Sequence, residues 1–275
     1  MDKKKLTADL IPDPRLWRLA MAIDFDSLSV MAYSIVGEPA SVACVIPLES
    51  DPSEAVKLLE DTIYDNPLLL QDFDRVDAIL RSHSFFITPS AVDDYTLTAV
   101  ARHQFGSSGK EFIINPLPNQ NATFVTAADA KLIGFLRRSF FNMRLMNWHY
   151  PLCQFFGEKN RSGNSKTMWA NIFHRRIDIV ALNGGSLRMA NTFDCLNEND
   201  ALYYIMASMK NLDFDPKTDS VTLTGDTEIR KKLASLLREY VANVLPAILP
   251  SSVVGALDNS AASLPIPLLL SQICE

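Results

Sequence analysis

The same order of predicted strands and helices occurs twice along this chain. Runs of continuous or alternating apolar residues predict strands, and capping residues before 3.6-residue periodicity predict helices. In the first half the order is strands at 19–23, 28–33 and 42–48, a helix beginning near Asp51, a strand within 77–88 and a helix near 91–102. In the second half it is strands at 169–174, 177–182 and 187–193, a helix after Asn197, a strand at 221–225 and a helix over 227–244. A repeated unit of this length predicts an internal duplication.

A short local similarity between the halves supports that prediction. The segment 84–90, Ser-Phe-Phe-Ile-Thr-Pro-Ser, parallels the segment 220–226, Ser-Val-Thr-Leu-Thr-Gly-Asp. In each, a predicted strand ends in a threonine and a turn, and a helix follows.

Composition excludes several classes of protein. Hydrophobic residues make up 48% of the 275 residues and charged residues 21%, which excludes a disordered chain. The net charge of -6 argues against nucleic-acid binding by the chain as a whole. Four cysteines far apart in sequence and four histidines without ligand spacing predict no metal site. Since no apolar run reaches the length of a membrane span, a cytoplasmic protein with reduced cysteines is expected.

A polar segment divides the two repeats. Residues 158–166 are polar and include Ser162-Gly163-Asn164-Ser165, which is typical of a linker. We therefore predict a first lobe over residues 1–160, with an inserted segment at about 105–155, and a second lobe over residues 161–275.

Three turns contain glycines or carboxylates beside predicted strands: Asp24-Phe25-Asp26-Ser27, Ala181-Leu182-Asn183-Gly184-Gly185-Ser186 and Leu223-Thr224-Gly225-Asp226. Together with the repeated β-β-β-α-β-α unit, they resemble the actin-like superfamily of sugar and acetate kinases, heat-shock cognate chaperones and actin. The whole chain is also similar to a Bacteroidetes family of that fold, domain of unknown function 3822. The resemblance implies an α/β chain with a duplicated, actin-like (ribonuclease H-like) two-lobed fold, in which helices flank mixed sheets.

In active members of the superfamily, two hairpin turns hold nucleotide phosphates from opposite sides of a cleft. Glycines allow backbone N–H groups to approach the phosphates, and carboxylates hold the metal. Here Asp24 matches the first motif, but Asp26 stands in place of its glycine and Ala181 replaces the acid of the second motif. Asp226 replaces the last glycine of the third motif. The resemblance implies these candidate nucleotide- or anion-binding residues: Asp24, Asp26, Ser27, Asn183, Gly184, Gly185, Ser186, Gly225 and Asp226.

Because each of the three motifs lacks a residue that active members have, two hypotheses stay open. In the first, the chain has no catalytic residue and is a degenerate member that acts as a binding or scaffold module for a protein partner. In the second, it is a phosphotransferase or ATPase that uses ATP and Mg²⁺ with Asp24 at the metal or water. The residues also have a purely structural interpretation, in which Asn183-Gly184 forms an ordinary hairpin turn and Asp226 caps the following helix.

A basic and aromatic segment over residues 137–176 suggests a third hypothesis. The segment contains eight lysines and arginines but only one acid, Glu158, and aromatic residues are interleaved with the basic ones. The candidate basic surface consists of Arg137, Arg138, Arg144, Arg161, Arg175 and Arg176. Such a segment can bind RNA or an acidic partner by phosphate pairing and stacking. Alternatively, its aromatic residues belong to the core and its arginines pair with acids elsewhere in the chain.

Overall fold

The computed structural model describes residues 6–37, 40–48, 54–159, 166–173, 175–250, 253 and 264–274. Thirteen strands and seven α-helices lie within these residues. The strands are β1 Trp17–Ile23, β2 Ser27–Ser34, β3 Ser41–Pro47, β4 Arg75–Leu80, β5 Phe85–Thr88, β6 Lys110–Leu117, β7 Ala122–Asp129, β8 Met143–Asn147, β9 Lys166–Phe173, β10 Arg176–Asn183, β11 Ser186–Asp194, β12 Ser220–Gly225 and β13 Asn243–Pro246. The helices are α1 Ala55–Tyr64, α2 Asp94–Phe105, α3 Ala130–Ser139, α4 Tyr150–Lys159, α5 Glu198–Asn211, α6 Thr227–Leu237 and α7 Ile266–Leu270.

Two five-stranded mixed sheets have the same strand order and the same strand directions. The first is β3-β2-β1-β4-β8 and the second is β11-β10-β9-β12-β13. In both, the three strands on one side form an antiparallel meander, while the last two run parallel to the central strand. Helices cover both sheets. The predicted α/β class with two lobes and mixed, helix-flanked sheets is therefore confirmed.

A third, antiparallel sheet of order β5-β7-β6 lies between β4 and β8 in the chain. This inserted sheet begins earlier than the predicted segment of about 105–155, because the strand predicted within 77–88 is two strands in two different sheets. The predicted lobe bounds at 160 and 161 stay a prediction, since the residues there lie outside the described part of the chain.

Each five-stranded sheet buries one face under its own helices. In lobe I, Leu59 and Ile63 of α1 pack with Ile133 and Leu136 of α3 against the sheet. In lobe II, the α5 and α6 side chains Ile205, Met209, Leu233 and Leu237 cover the equivalent face. Helix α5 begins as predicted at Asn197, whose side chain accepts hydrogen bonds from two backbone N–H groups of the first turn. The predicted cap of α1 at Asp51 lies outside the described residues.

The other face of the lobe I sheet is also covered. There the C-terminal segment returns to lobe I, where Leu264, Leu268 and Leu269 pack with Trp148 against the sheet. The final residues thus contact the first lobe in space, although the prediction assigned them to the second. Within the described residues, no helix combines the length and apolar character that crossing a bilayer requires.

Two predictions differ from the structure. The helix predicted over 227–244 ends at Leu237, because Val244 pairs with Val221 as part of β13 and is buried in the sheet. The similarity between 84–90 and 220–226 is coincidental, because the strand equivalent to β12 is β4 and not β5.

Candidate functional site

The turn between β1 and β2 meets the start of β10 across the cleft between the lobes. The turn is closed by a hydrogen bond from the Asp24 N–H to the Ser27 carbonyl at 2.9 Å. From lobe II, Arg176 places Nη1 3.4 Å from the Asp24 carboxylate and 3.6 Å from the Asp26 carboxylate. The structure therefore brings the predicted residues Asp24, Asp26 and Ser27 to the cleft, together with Arg176.

A buried arginine that follows β4 forms the centre of this cleft. The backbone N–H of Arg81 donates to the carbonyl of Ile23 at 3.0 Å, just as the N–H of Asp226 donates to the carbonyl of Ile172 in lobe II at 2.8 Å. Arg81 and Asp226 thus occupy equivalent positions at the ends of equivalent strands. These strand ends are where α/β folds place ligands.

The guanidinium of Arg81 joins one carboxylate from each lobe. Its Nε lies 3.0 Å from Asp24 Oδ2, and its Nη1 lies 2.7 Å from Asp178 Oδ1. The Arg81 and Asp178 side chains are 2% and 1% exposed. The planar group also lies 3.7 Å from the ring centroid of Trp148, a cation–π contact. We call Arg81, Asp24 and Asp178 the ionic bridge.

The carboxylate of Asp178 is saturated with donors. Besides Arg81, it accepts hydrogen bonds from Trp148 Nε1 at 2.9 Å, Asn171 Nδ2 at 3.1 Å and Thr192 Oγ1 at 2.7 Å. Burial alone would raise the pKa of Asp178, but the Arg81 charge, together with the hydrogen bonds from Arg81 and Thr192, holds that pKa well below its ordinary value. Asp178 is therefore a fixed anion whose hydrogen-bonding capacity is used within the protein.

A histidine beside the bridge is held neutral. His149 Nε2 lies 3.2 Å from Thr192 Oγ1 and 3.8 Å from Asp178 Oδ1. Burial lowers the pKa of His149 to about 4, more than the nearby Asp178 raises it. The side chain is 2% exposed. A neutral, enclosed imidazole of this kind supports the packing of the cleft.

The predicted turn Asn183 to Ser186 does not face Asp24. It joins β10 to β11, whereas the turn equivalent to Asp24–Ser27 joins β9 to β10 and ends at Arg176. Asn183 and Arg176 are the two ends of β10, about 23 Å apart at roughly 3.3 Å per residue. The strand order thus places Asn183, Gly184, Gly185 and Ser186 away from Asp24, and that these residues bind a nucleotide or anion stays a prediction.

The turn that does face Asp24 lacks the features of a phosphate-binding loop. It runs from Phe173 to Arg176 and contains no glycine. The strand register places Phe173 at the position equivalent to Asp24. This turn therefore brings no acid to the cleft, and its sequence gives the backbone no added freedom to approach a phosphate.

Gly225 and Asp226 have structural roles at the end of β12. Gly225 has φ +99°, and a Cβ atom there would lie 1.7 Å from the carbonyl oxygen of Ile172. The backbones of β9 and β12 therefore require a glycine at this position. The Asp226 side chain accepts hydrogen bonds from the N–H groups of Glu228 and Ile229, so it caps α6 as the structural interpretation predicted.

The predicted basic residues are distributed over several elements. Arg144 on β8 contacts the buried Asp77 at 2.9 Å and donates to the carbonyl of Cys274. Arg137 on α3 pairs with Glu111. Arg138 is the next residue of α3, Arg175 immediately precedes β10, and Arg161 lies outside the described residues. These ion pairs favour the alternative in which the arginines offset nearby acids.

A cavity of about 710 Å³ lies in lobe I beside the ionic bridge. Its walls come from the ends of β1 and β4, from α1 and from the start of α3, and most of its lining is apolar. Phe25 and His83 line it and stack on each other with ring centroids 4.4 Å apart. Phe25 is 42% exposed and lies 5.1 Å from the Arg176 guanidinium. The cavity is of the size that a small ligand or a few side chains occupy.

The residues of the cleft do not fit a magnesium nucleotide. Of the three carboxylates described at the cleft, Asp24 and Asp178 already contact the Arg81 guanidinium, and Asp26 lies 3.6 Å from Arg176 Nη1. Among the described residues, no group of three or more histidine, cysteine or acidic side chains has the geometry to hold a metal ion.

Sequence reasoning missed both Arg81 and Asp178. The available signal was Asp178 itself, a single acid within the apolar run Ile177-Asp178-Ile179-Val180. A charge in a buried strand requires a buried partner, although sequence alone does not identify that partner.

Solved structures with the same fold agree with this architecture. A protein of Bacteroides thetaiotaomicron VPI-5482, described as having an actin-like ATPase fold and unknown function, is 23% identical with a TM-score of 0.75, and the match covers 94% of this chain and 96% of that one. A chain of the PilM–PilN type IV pilus biogenesis complex is 15% identical with a TM-score of 0.54, covering 94% of this chain and 99% of that one. The predicted actin-like fold is confirmed.

No curated protein sequence matches the chain. A family model described as "Protein of unknown function (DUF3822)" matches residues 16–244. This match extends from the residue before β1 into β13, and so covers both five-stranded sheets. The chain therefore belongs to the DUF3822 family.

Proposed function

We propose that this protein is a pseudoenzyme: an actin-like module without nucleotide chemistry that serves as a scaffold for a protein partner. The observation that carries the proposal is the ionic bridge. Arg81 supplies a built-in cation between the carboxylates of the two lobes, Asp24 and Asp178. In the active enzymes that this fold resembles, carboxylates at the cleft are free to hold a metal.

The electrostatics of the bridge support this interpretation. The Arg81 guanidinium is enclosed with two carboxylates, and burial of a paired charge is tolerated only while its partners remain. A metal with a polyphosphate would have to displace Arg81 from both acids. That displacement would leave a buried guanidinium without partners, which is strongly unfavourable.

A scaffold role is consistent with the similarity to the PilM–PilN complex, where a chain of this fold is found in an assembly with another protein. The four cysteines are free thiols, and this supports the proposed location in the cytoplasm.

Two measurements on the same preparation test the proposal. We expect no magnesium-dependent ATP turnover above that of Asp24→Ala, and we expect stoichiometric co-purification of one protein with the tagged wild type from its native cells. An Arg81→Met variant, in which the lobes lose their bridge, should recover less of that partner. Turnover that Asp24→Ala abolishes would contradict the proposal and restore the phosphotransferase or ATPase hypothesis.

A further inference from the structure

The outer strand β3 of lobe I differs from the other sheet edges of the molecule. An open strand edge presents unpaired N–H and C=O groups, and proteins usually protect it with charges, prolines, short length or a covering segment. The described sheets have six outer strands: β3, β8, β11, β13, β5 and β6.

Five of these edges carry such protection. β5 and β13 are four residues long, and β13 ends at Pro246. β6 contains Lys110, Glu111 and Pro116, and β11 contains Arg188 and Asp194. β8 has Arg144, which also binds the carbonyl of Cys274 in the C-terminal segment.

Between Val42 and Ile46, strand β3 has no comparable protection from the part of the chain that the structure describes. Its sequence, Ser41-Val42-Ala43-Cys44-Val45-Ile46-Pro47, has no charged residue, and its only proline is the last residue. β-branched residues of this kind favour an extended conformation. Both faces of the strand are already packed, since Val42, Cys44 and Ile46 contact the lobe I core and Ala43 and Val45 contact the cluster around Trp148. What the strand can still offer a partner is therefore its edge.

The hydrogen-bond register shows which backbone groups point outward. Ser34 donates to the carbonyl of Ala40, and Leu48 donates to the carbonyl of Asp26. Because inward and outward groups alternate in an antiparallel pair, the even-numbered residues of β3 bond to β2. The N–H and C=O groups of Ala43 and Val45 consequently point away from the sheet, and no strand of the described sheets lies beyond them.

We propose that β3 pairs with β3 of a second copy of this chain, antiparallel across a two-fold axis. The strand is complementary to itself in this arrangement. In the register centred on Cys44, Ala43 exchanges hydrogen bonds with Val45 of the second copy. Two five-stranded sheets then become one ten-stranded sheet. Ile35 and Val36, which are 40% and 51% exposed in the turn before β3, add apolar area beside the new pair.

This register places the two Cys44 residues opposite each other. They form a pair that is not hydrogen-bonded, in which the Cα atoms are about 4.5 Å apart. That separation lies within the range of a disulfide. A contact limited to one strand and its flanking turn is small, so the dimer should dissociate on dilution.

Sedimentation velocity over a concentration series tests the pairing. We expect the wild type to shift from its monomer mass of 30.6 kDa toward twice that mass. The variant Ala43→Pro removes an outward N–H without removing a bond to β2, so it should stay monomeric. Its circular dichroism and melting temperature show whether it folds.

Oxidative crosslinking provides a second test that does not depend on Ala43→Pro. Alkaline buffer is needed, because burial raises the pKa of Cys44 to about 11. With copper phenanthroline the wild type should give a covalent dimer, Cys44→Ser should give none, and the matched variant Cys195→Ser should give the same dimer as the wild type. A wild type that is monomeric at every concentration overturns the proposal, as does a dimer that forms equally in Ala43→Pro and crosslinks without Cys44. The first of these results would leave a strand from another protein as the candidate for this edge.

Discussion

Replacement of Arg81 by methionine should be among the most destabilising single changes in the cleft. The methionine retains most of the aliphatic volume, so the effect reports the loss of charge more than the creation of a cavity. Asp178 is 1% exposed and would lose its cationic partner Arg81, although Trp148 and Thr192 still donate to it. Breaking a buried pair by removing one partner costs about 3–5 kcal/mol. We expect a loss of that size in the free energy of unfolding.

The pH dependence of this loss has a defined sign. In the wild type the pKa of Asp178 lies below its ordinary value, so the stabilisation is present above the unfolded value of about 3.9 and is lost as pH falls through the folded value. In Arg81→Met, burial is no longer opposed by the guanidinium, and the folded pKa of Asp178 should rise above the unfolded one. The deficit of the variant should therefore be largest near neutral pH and smaller in acid.

Urea unfolding at several pH values measures this deficit, and a double-mutant cycle with Asp178→Asn supplies the control. Because the two changes together leave no unpaired charge between these residues, the double variant should be more stable than the sum of the single effects predicts. Additive effects, or a loss below about 1 kcal/mol for Arg81→Met, would refute a role for the bridge in joining the lobes.

Three further predictions concern single residues. Burial lowers the pKa of His149 to about 4, so the stability that the neutral, buried ring gives the folded state is fully present above the unfolded pKa of 6.5 and is lost as pH falls toward 4. In urea unfolding, the wild type should lose about 2 kcal/mol of stability between pH 7 and pH 5, and His149→Phe should not show this loss. Gly225→Ala should lower the free energy of unfolding by about 2 kcal/mol or more, since its Cβ would collide with the Ile172 carbonyl. Gly37→Ala is the control: it also has positive φ, but its Cβ would have nothing within 4 Å, so in thermal melts it should cost about half as much. Asp226→Ala should lower stability by about 1 kcal/mol through loss of the α6 cap, and Asp226→Asn should restore most of it.

The architecture was largely predictable because it depends on local patterns. The turn at Asp24–Ser27 and the turn at Asn183–Ser186 both interrupt apolar strands, and both are hairpins in the structure. Alternation of apolar and polar residues along a strand indicates directly that one face of that strand is buried. What periodicity could not supply was the assignment of strands to sheets. As a result, two strands within 77–88 were merged, and the segment around Val244 was attached to the preceding helix.

The site was less predictable because it depends on contacts distant in sequence. Asp24 was found from its motif, but its partners Arg81 and Arg176 lie 57 and 152 residues further along the chain. The turn at Asn183 resembled a phosphate-binding motif in its glycines, yet only the strand order shows that it lies at the far end of β10 from the cleft. Short motifs identify turn chemistry, and the topology then decides which turns meet.

Thermal unfolding in the presence of nucleotides tests the closed cleft most directly. The wild type and Asp24→Ala are melted with and without millimolar Mg-ATP, Mg-ADP and Mg-GTP. A ligand at about a hundred times its dissociation constant stabilises the folded state by roughly 2.7 kcal/mol, which is an upward shift of several degrees. If Arg81 occupies the place of the cation, none of the nucleotides shifts the wild type. A shift in the wild type that disappears in Asp24→Ala would show that the cleft opens to a nucleotide, and it would contradict the proposed scaffold.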